Sequence, residues 1–330
     1  MELETAAAAL ADAGCPGAVA ALRAEELAAA AAGLADLERD QPMTPAHRFR
    51  VGSITKTYVA TLALLLAHDG VLDLDAPGAV PADPRLTLRM LLSHRSGLAE
   101  YMDLGGIAAD REDAPLRGAR PELDVERALS EPRRFEPGAA VEYCNTNYQA
   151  AGLAIERAAA APLHTLVHAR LLEPLRLART TFALEARCED ALASGYAFAD
   201  GWYPTPDGPR EVTAHLDGAW ADGAIVADAA DVTAFFAALL GGRILPPAAL
   251  AEMQRGEPDE RGIVVGLGLN GRTVGDTRVW GHGGDMPGYT GTARAAPDGS
   301  RVFAVLVNAQ GAAIDESLTR VADELTRTFL

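Results

Sequence analysis

Residues 53 to 56 read Ser-Ile-Thr-Lys, and the lysine that closes this run is the only one in the chain. The remaining 28 of the 29 Lys and Arg side chains are arginine. Where only positive charge matters the two cations exchange tolerably, but lysine is the one that a protein can deprotonate into a base. One of seven serines stands three residues before it, a spacing that arises by chance at the level of roughly 2% on composition alone. A hydroxyl one helical turn from an amine, as in Ser53 and Lys56, is the layout of a nucleophile and its activating partner. The plain alternative is a capping serine beside a solvated lysine. A second pair, Tyr143 and Asn145, offers a phenol for proton transfer and a carboxamide to orient a substrate amide. Taken alone the pair is a weak signal, because a tyrosine in such a loop is more often a ring packed over the edge of the core. The third stretch is His282-Gly283-Gly284-Asp285 inside a strand pattern. Glycines there mark bulges or the close approach of another backbone or a ligand, and exposed N–H groups can complete an oxyanion hole. A glycine-rich hairpin carrying an ordinary polar histidine is the alternative.

The elements that must hold these groups are legible in outline. Residues 57–67 form an apolar stretch closed by His68-Asp69-Gly70, which predicts a buried helix with a glycine stop. Ser53 then sits at its positive dipole end and Lys56 on the same face. Pro137-Gly138 predicts a turn, and the polar run from Tyr143 to Asn147 predicts a loop feeding a helix from Gln149. Strand-like runs flank the His282 stretch, one of them at 302–307. Between Ala18 and Leu37, alanine-rich sequence favours helix on propensity alone. Other motifs fail on context. Gly266-Leu267-Gly268-Leu269-Asn270-Gly271 matches a dinucleotide fingerprint in letters but opens into a strand-like run rather than a helix. His164 and His168 lack the glutamate of a metalloprotease helix, and no Gly-x-Ser-x-Gly elbow occurs. No metal and no cofactor are expected.

Composition narrows the partners. With 330 residues and 49% hydrophobic content the chain can build a large core, and its net charge of −17 argues against nucleic acid or an anionic membrane. A small-molecule or short peptide substrate fits better; the oligomeric state is not legible. Cys15, Cys144 and Cys188 are too few and too scattered for a disulfide framework or a zinc cluster. With an opening that lacks a secretory signal and no apolar run near eighteen residues, a cytoplasmic location is expected.

Ser-x-x-Lys, Tyr-x-Asn and His-Gly-Gly, in this order, resemble the serine β-lactamase and penicillin-binding protein superfamily. The closest branch is the class C β-lactamase-like group with D-alanyl-D-alanine carboxypeptidases and related esterases. Leu91-Leu92-Ser93-His94-Arg95-Ser96-Gly97-Leu98, Phe135-Glu136-Pro137-Gly138 and Gly281-His282-Gly283-Gly284 are similar to family signatures. The resemblance runs from about Cys15 to the C-terminal helix. It implies an α+β (α/β sandwich) fold in which an antiparallel sheet is flanked by N- and C-terminal helices. Residues 1–60 and 215–330 would build that sheet, with a mostly helical region, 61–214, inserted and the active site at the seam. The strands implied at Ala18 to Leu37 override the helix propensity there. Pro-rich loops such as Gly201 to Pro209 would wall the pocket. By position, Ser53 becomes the acylated nucleophile, Lys56 its activating partner and Tyr143 the general base and acid, the order of the last two as first base remaining open. Asn145 becomes a ligand of the substrate amide and His282-Gly283-Gly284 the strand motif where other members have Lys-Thr-Gly. The N–H groups of Ser53 and Asp285 become the oxyanion hole. With His282 in place of a fixed cation and Asp285 adjacent, a neutral ester, amide or thioester is expected, handled by an esterase or transacylase. Arg278 or Arg294 could restore positive charge. A D-alanyl-D-alanine carboxypeptidase or β-lactamase is the alternative activity, and a catalytically silent binding homologue the alternative class.

Overall fold

The computed structural model describes residues 1–104, 119–184, 191–202, 205, 208–215, 219–259 and 261–330; Cys188 lies outside them. The helices are α1 (Leu3–Asp12), α2 (Thr55–His68), α3 (Leu88–Leu92), α4 (Pro121–Ser130), α5 (Thr146–Ala159), α6 (Leu163–Val167), α7 (Ala229–Leu240), α8 (Pro247–Met253) and α9 (Ala312–Phe329). The strands are β1 (Gly17–Arg23), β2 (Leu27–Asp36), β3 (Gln41–Pro42), β4 (Phe49–Arg50), β5 (Thr181–Phe182), β6 (Tyr196–Ala197), β7 (Arg210–Glu211) and β8 (Ile225–Ala227). After them come β9 (Glu257–Pro258), β10 (Val264–Val265), β11 (Asn270–Val274), β12 (Thr277–Met286), β13 (Tyr289–Ala295), β14 (Val302–Val307) and β15 (Ala309–Gln310).

One nine-stranded sheet, ordered β3-β2-β1-β14-β13-β12-β11-β10-β9, dominates, and its neighbouring strands pair antiparallel. Its strands come from the two ends of the chain, and the residues between supply mostly helix, with short three-stranded sheets β15-β6-β7 and β4-β8-β5. The fold is the expected mixed helix-and-sheet architecture, an antiparallel sheet with helices on it.

The alanine-rich segment forms the β1–β2 hairpin, pairing Ala18 with Ala32 and Leu22 with Ala28. Burial explains why propensity loses. β1 lies between β2 and β14, so a helix there would strand the edge of β14. Its alternate side chains also fill two different cores. Ala18 and Ala20 share a core with Val305 of β14, Leu10 of α1 and Leu318 and Leu325 of α9, while Val19 and Ala21 face the main core. Alanine fits because both faces are crowded, and the local preference of about half a kcal/mol per residue is outweighed by the ladder and the burial.

Helix α2 is buried along nearly its whole length, as an all-round apolar helix must be. Tyr58 stacks on Phe235 of α7 with ring centroids 3.6 Å apart. The stop at Gly70 takes φ 74°. The Gly266–Gly271 run leads into β11, and Gly268 (φ 64°) lies so close to α2 that a Cβ would meet Lys56 O at 2.7 Å and Ala60 Cβ at 2.5 Å. Thr57 Oγ1 donates to its carbonyl at 2.7 Å. This glycine run braces the helix that carries Lys56.

Candidate active site

Two backbones meet without side chains between them. A short 3-10 turn, Gly52–Ile54, precedes α2, and Gly52 takes φ 52°. A Cβ there would stand 2.5 Å from the Asp285 carbonyl oxygen and 2.6 Å from its nitrogen. Reciprocally, a Cβ on Gly284 would enter the Val51 oxygen and stand 2.7 Å from Ser53 N. Glycine on both sides is therefore obligatory, and the peptide nitrogens of Ser53 and Asp285 occupy one small region beside the Ser53 hydroxyl.

Lys56 is fully buried. Its Nζ donates to Ser53 Oγ at 2.8 Å, to Asn145 Oδ1 at 2.7 Å and to the Asp222 carbonyl at 2.9 Å. The last two acceptors are carbonyl oxygens, which only accept. If Nζ passes a proton on, the two that remain satisfy these two carbonyls and its lone pair faces Ser53 Oγ. The Asp222 carbonyl is held in turn because the Asp222 carboxylate accepts from Tyr101 Oη at 2.9 Å, Gln149 Nε2 at 3.1 Å and Trp220 N at 3.0 Å. Asp222 serves Lys56 through its backbone, so no side-chain pattern in the sequence announces it.

Tyr143 Oη donates to the same Ser53 oxygen at 2.7 Å. Asn145, at the N-terminus of α5, offers Oδ1 to Lys56 and commits Nδ2 to Glu100 Oε2 at 3.1 Å and to Met102 Sδ at 3.3 Å. The bond to sulfur is weak, so that hydrogen is the one a substrate carbonyl would capture. Glu100 also accepts from Asn145 N at 2.6 Å; burial pushes its carboxyl above the usual range, against the pull of these backbone donors. Cys144 faces away, its Sγ toward the Leu98 and Ala99 carbonyls, and burial pushes its thiol up to about 12. It is packing, not chemistry.

His282 and Gly284 project from β12 toward the Gly52–Ile54 turn and Tyr143, and Asp285 alternates to the opposite face. His282 Nδ1 lies 2.5 Å from the Gly283 carbonyl, which fixes the proton on Nδ1 and leaves Nε2 as an acceptor. Burial lowers its pKa to about 4, so at neutral pH the ring is uncharged.

The sequence matches the beta-lactamase family over residues 4–327. The chain belongs to the beta-lactamase family. It is 35% identical over 174 residues to esterase EstB of Burkholderia gladioli, an alignment covering 48% of this chain and 44% of that protein. It is 27% identical over 302 residues to a D-aminopeptidase of Cereibacter sphaeroides, covering 87% and 55%. The chain thus spans about half the length of these curated relatives. The crystal structure of a D-stereospecific amidohydrolase from Streptomyces sp. superposes with a TM-score of 0.84 at 30% identity, covering 96% of each chain.

Within this beta-lactamase-family site the cleft holds about 350 Å³ and is lined by Ser53, Tyr143, Asn145, Trp202, His282 and Arg272 among others. Trp202 belongs to the expected Pro-rich wall; Tyr203, Pro204, Pro206 and Asp207 lie outside the described residues. The two arginines that could have restored positive charge do not do so. Arg294 pairs with Asp323 at 2.6 Å, and Arg278 lies over the Trp280 ring at 4.9 Å. Arg272 of β11 does line the cleft, and its guanidinium makes no hydrogen bond or ion pair among the described residues. The sequence reading missed it because only the folded sheet brings β11 to the rim of the cleft, where Arg272 lies between this cleft and the cavity on the α9 side.

A second cavity of about 270 Å³ lies on the α9 side of β12, lined by Asp285, Thr290 and Asp315 among others. Burial, then repulsion from Asp315, raises the Asp285 carboxyl to about 7. Such a carboxyl binds its proton more tightly folded than unfolded, so it favours the fold at low pH. That advantage is lost as pH climbs from about 4, the unfolded value, to about 7. Asp285→Asn should therefore raise the melting temperature at pH 8 by a few degrees, a gain on the order of 1–3 kcal/mol, and change it little at pH 4. Calorimetric melts at the two pH values check this; an equal shift at both would show that the pair is not the cause.

Proposed function

We propose that the protein is a serine hydrolase that cleaves small esters and amides through an acyl group carried on Ser53. The observation that carries this is the single Ser53 oxygen bound at once by Lys56 Nζ and Tyr143 Oη beside two converging peptide nitrogens. Ser53 Oγ attacks the substrate carbonyl carbon while its proton passes to one of those two bases. The N–H groups of Ser53 and Asp285 take the oxyanion. Collapse expels the alcohol or amine, protonated by Tyr143, and leaves the Ser53 ester; water then reverses the sequence. Asn145 binds the substrate carbonyl with the hydrogen it otherwise lends to Met102. The name of one relative, an esterase, supports ester substrates, and those of two others, a D-aminopeptidase and a D-stereospecific amidohydrolase, support acyl groups of the D-aminoacyl type.

Neutral His282 supports substrates that carry no carboxylate next to the scissile bond. One observation favours a second reading, a carboxypeptidase-like preference: the uncommitted Arg272 guanidinium in the cleft is a carboxylate ligand. Intact-mass spectrometry after exposure to p-nitrophenyl esters, D-amino acid amides, acyl-D-Ala-D-Ala and β-lactams tests both. One acyl adduct mapping to Ser53, formed fastest with the substrates that carry no carboxylate and absent in Ser53→Ala, is expected. Faster acylation by the carboxylates would favour the second reading, and an adduct elsewhere would end the first.

A further inference from the structure

His94 is a strange residue to find next to this site. Its backbone takes φ 56°, a conformation that costs a non-glycine residue about 1 kcal/mol, and its side chain is buried. Its bonds converge on Tyr143 from both directions along the chain. The His94 carbonyl accepts from Glu142 N at 3.0 Å, and its Nδ1 accepts from Cys144 N at 3.2 Å. The N–H groups of the residues on either side of Tyr143, Glu142 and Cys144, are thus both bound to one residue, and the imidazole lies against the Tyr143 ring with centroids 4.5 Å apart.

The tautomer is set by the neighbours. Asn147 Oδ1 accepts from Ser96 Oγ, which turns Asn147 Nδ2 toward His94 Nδ1 at 3.3 Å. With two N–H donors aimed at it, Nδ1 is the unprotonated nitrogen and the proton sits on Nε2. Burial, then the Lys56 charge, presses the imidazole pKa well below its ordinary value, so the acceptor persists at working pH. Tyr143 needs such support. Its side chain is 41% exposed, so little core surrounds it, yet its hydroxyl must stay within a hydrogen bond of Ser53.

We propose that His94 is a positioning residue, which holds the Tyr143 phenol on Ser53 by pinning the peptides of Glu142 and Cys144 and by lying against the ring. This rests on the reading of Tyr143 as the proton carrier of an acyl-enzyme hydrolase. His94 touches neither substrate nor Ser53, so its loss should lower kcat and leave KM nearly alone.

The test is a double-mutant cycle with a p-nitrophenyl ester as probe. His94→Gly accepts φ 56° without strain and removes only the side chain; we expect kcat to fall 10- to 100-fold with KM changed less than threefold. His94→Asn places an oxygen where Nδ1 was and tolerates the left-handed backbone, so it should recover most of the loss. In a Tyr143→Phe background, His94→Gly should cost almost nothing further, because its effect passes through the phenol. A merely structural contact would give an additive loss, or one that asparagine does not rescue, and either result overturns the role. If the glycine variant does not melt cooperatively, His94→Gln, which moves the acceptor one carbon away, takes its place in the same cycle. A Tyr143→Phe enzyme as fast as the parent would instead overturn the proton-carrier reading itself, and this role with it.

Discussion

Lys56→Arg folds, keeps its positive charge and fails to acylate: a loss of about 10²- to 10⁴-fold in the single-turnover rate is expected. The reason lies in the three acceptors around Nζ, 2.7 to 2.9 Å away. An amine can give up one proton and still satisfy the Asn145 and Asp222 carbonyls, presenting its lone pair to Ser53. A guanidinium stays protonated far above neutral pH, so it has no lone pair to present. Its planar fork is also too broad for a pocket walled by the rings of Tyr143 and Tyr148, whose centroids stand 5.1 and 5.5 Å from Nζ. Acylation followed by intact mass, with a thermal melt against the parent, separates lost chemistry from lost folding. Near-normal acylation would mean that Lys56 supplies only charge.

Gly284→Ala should cost nearly as much without touching a reacting group. The new methyl would fall inside the Val51 carbonyl oxygen and 2.7 Å from Ser53 N, and these are backbone atoms that cannot swing aside. β12 must then retreat from the catalytic turn, separating the two N–H groups that converge there. Losing one such donor costs about 10²- to 10³-fold in kcat. The neighbouring Gly283 is the control. A Cβ there meets nothing nearer than the Gly291 oxygen at 3.6 Å, an ordinary contact, so Gly283→Ala should lose no more than about fivefold. Steady-state kinetics on both variants decide the matter, and equal losses would show that the close approach at Gly284 is not what builds the hole.

The grouping of Ser53 with Lys56 was legible because residue type limits the chemistry a side chain can do. A lone lysine three residues after a serine, at the head of an apolar helix, implies proximity by helical geometry alone: the distance from Ser53 to Lys56 is local. The glycines of 281–284 signalled a close approach, though not to what. The β1–β2 hairpin shows the opposite case. Its alanines favour helix, and the resemblance to known families, not propensity, indicated strands; burial between two cores and the open ladder of β14 supply the physical reason.

What tertiary structure alone decided is everything that acts across long separations in the chain. Asp222 binds Lys56 from 166 residues away through a carbonyl, and every residue has a carbonyl, so no side chain in the sequence could mark it. The direction of Asp285 came from strand alternation, which turned its carboxyl away from the catalytic turn and against Asp315 while leaving its N–H beside Ser53. Of the three arginines on the neighbouring strands, Arg278, Arg294 and Arg272, only the last lines the cleft, although the register puts it on the same sheet face as Arg294. The pinning of Tyr143 by His94 spans about fifty residues and uses a backbone angle that no sequence displays. Residue type sets what a group is able to do; only packing sets which atoms lie within 3 Å of it, and acid–base chemistry depends on both.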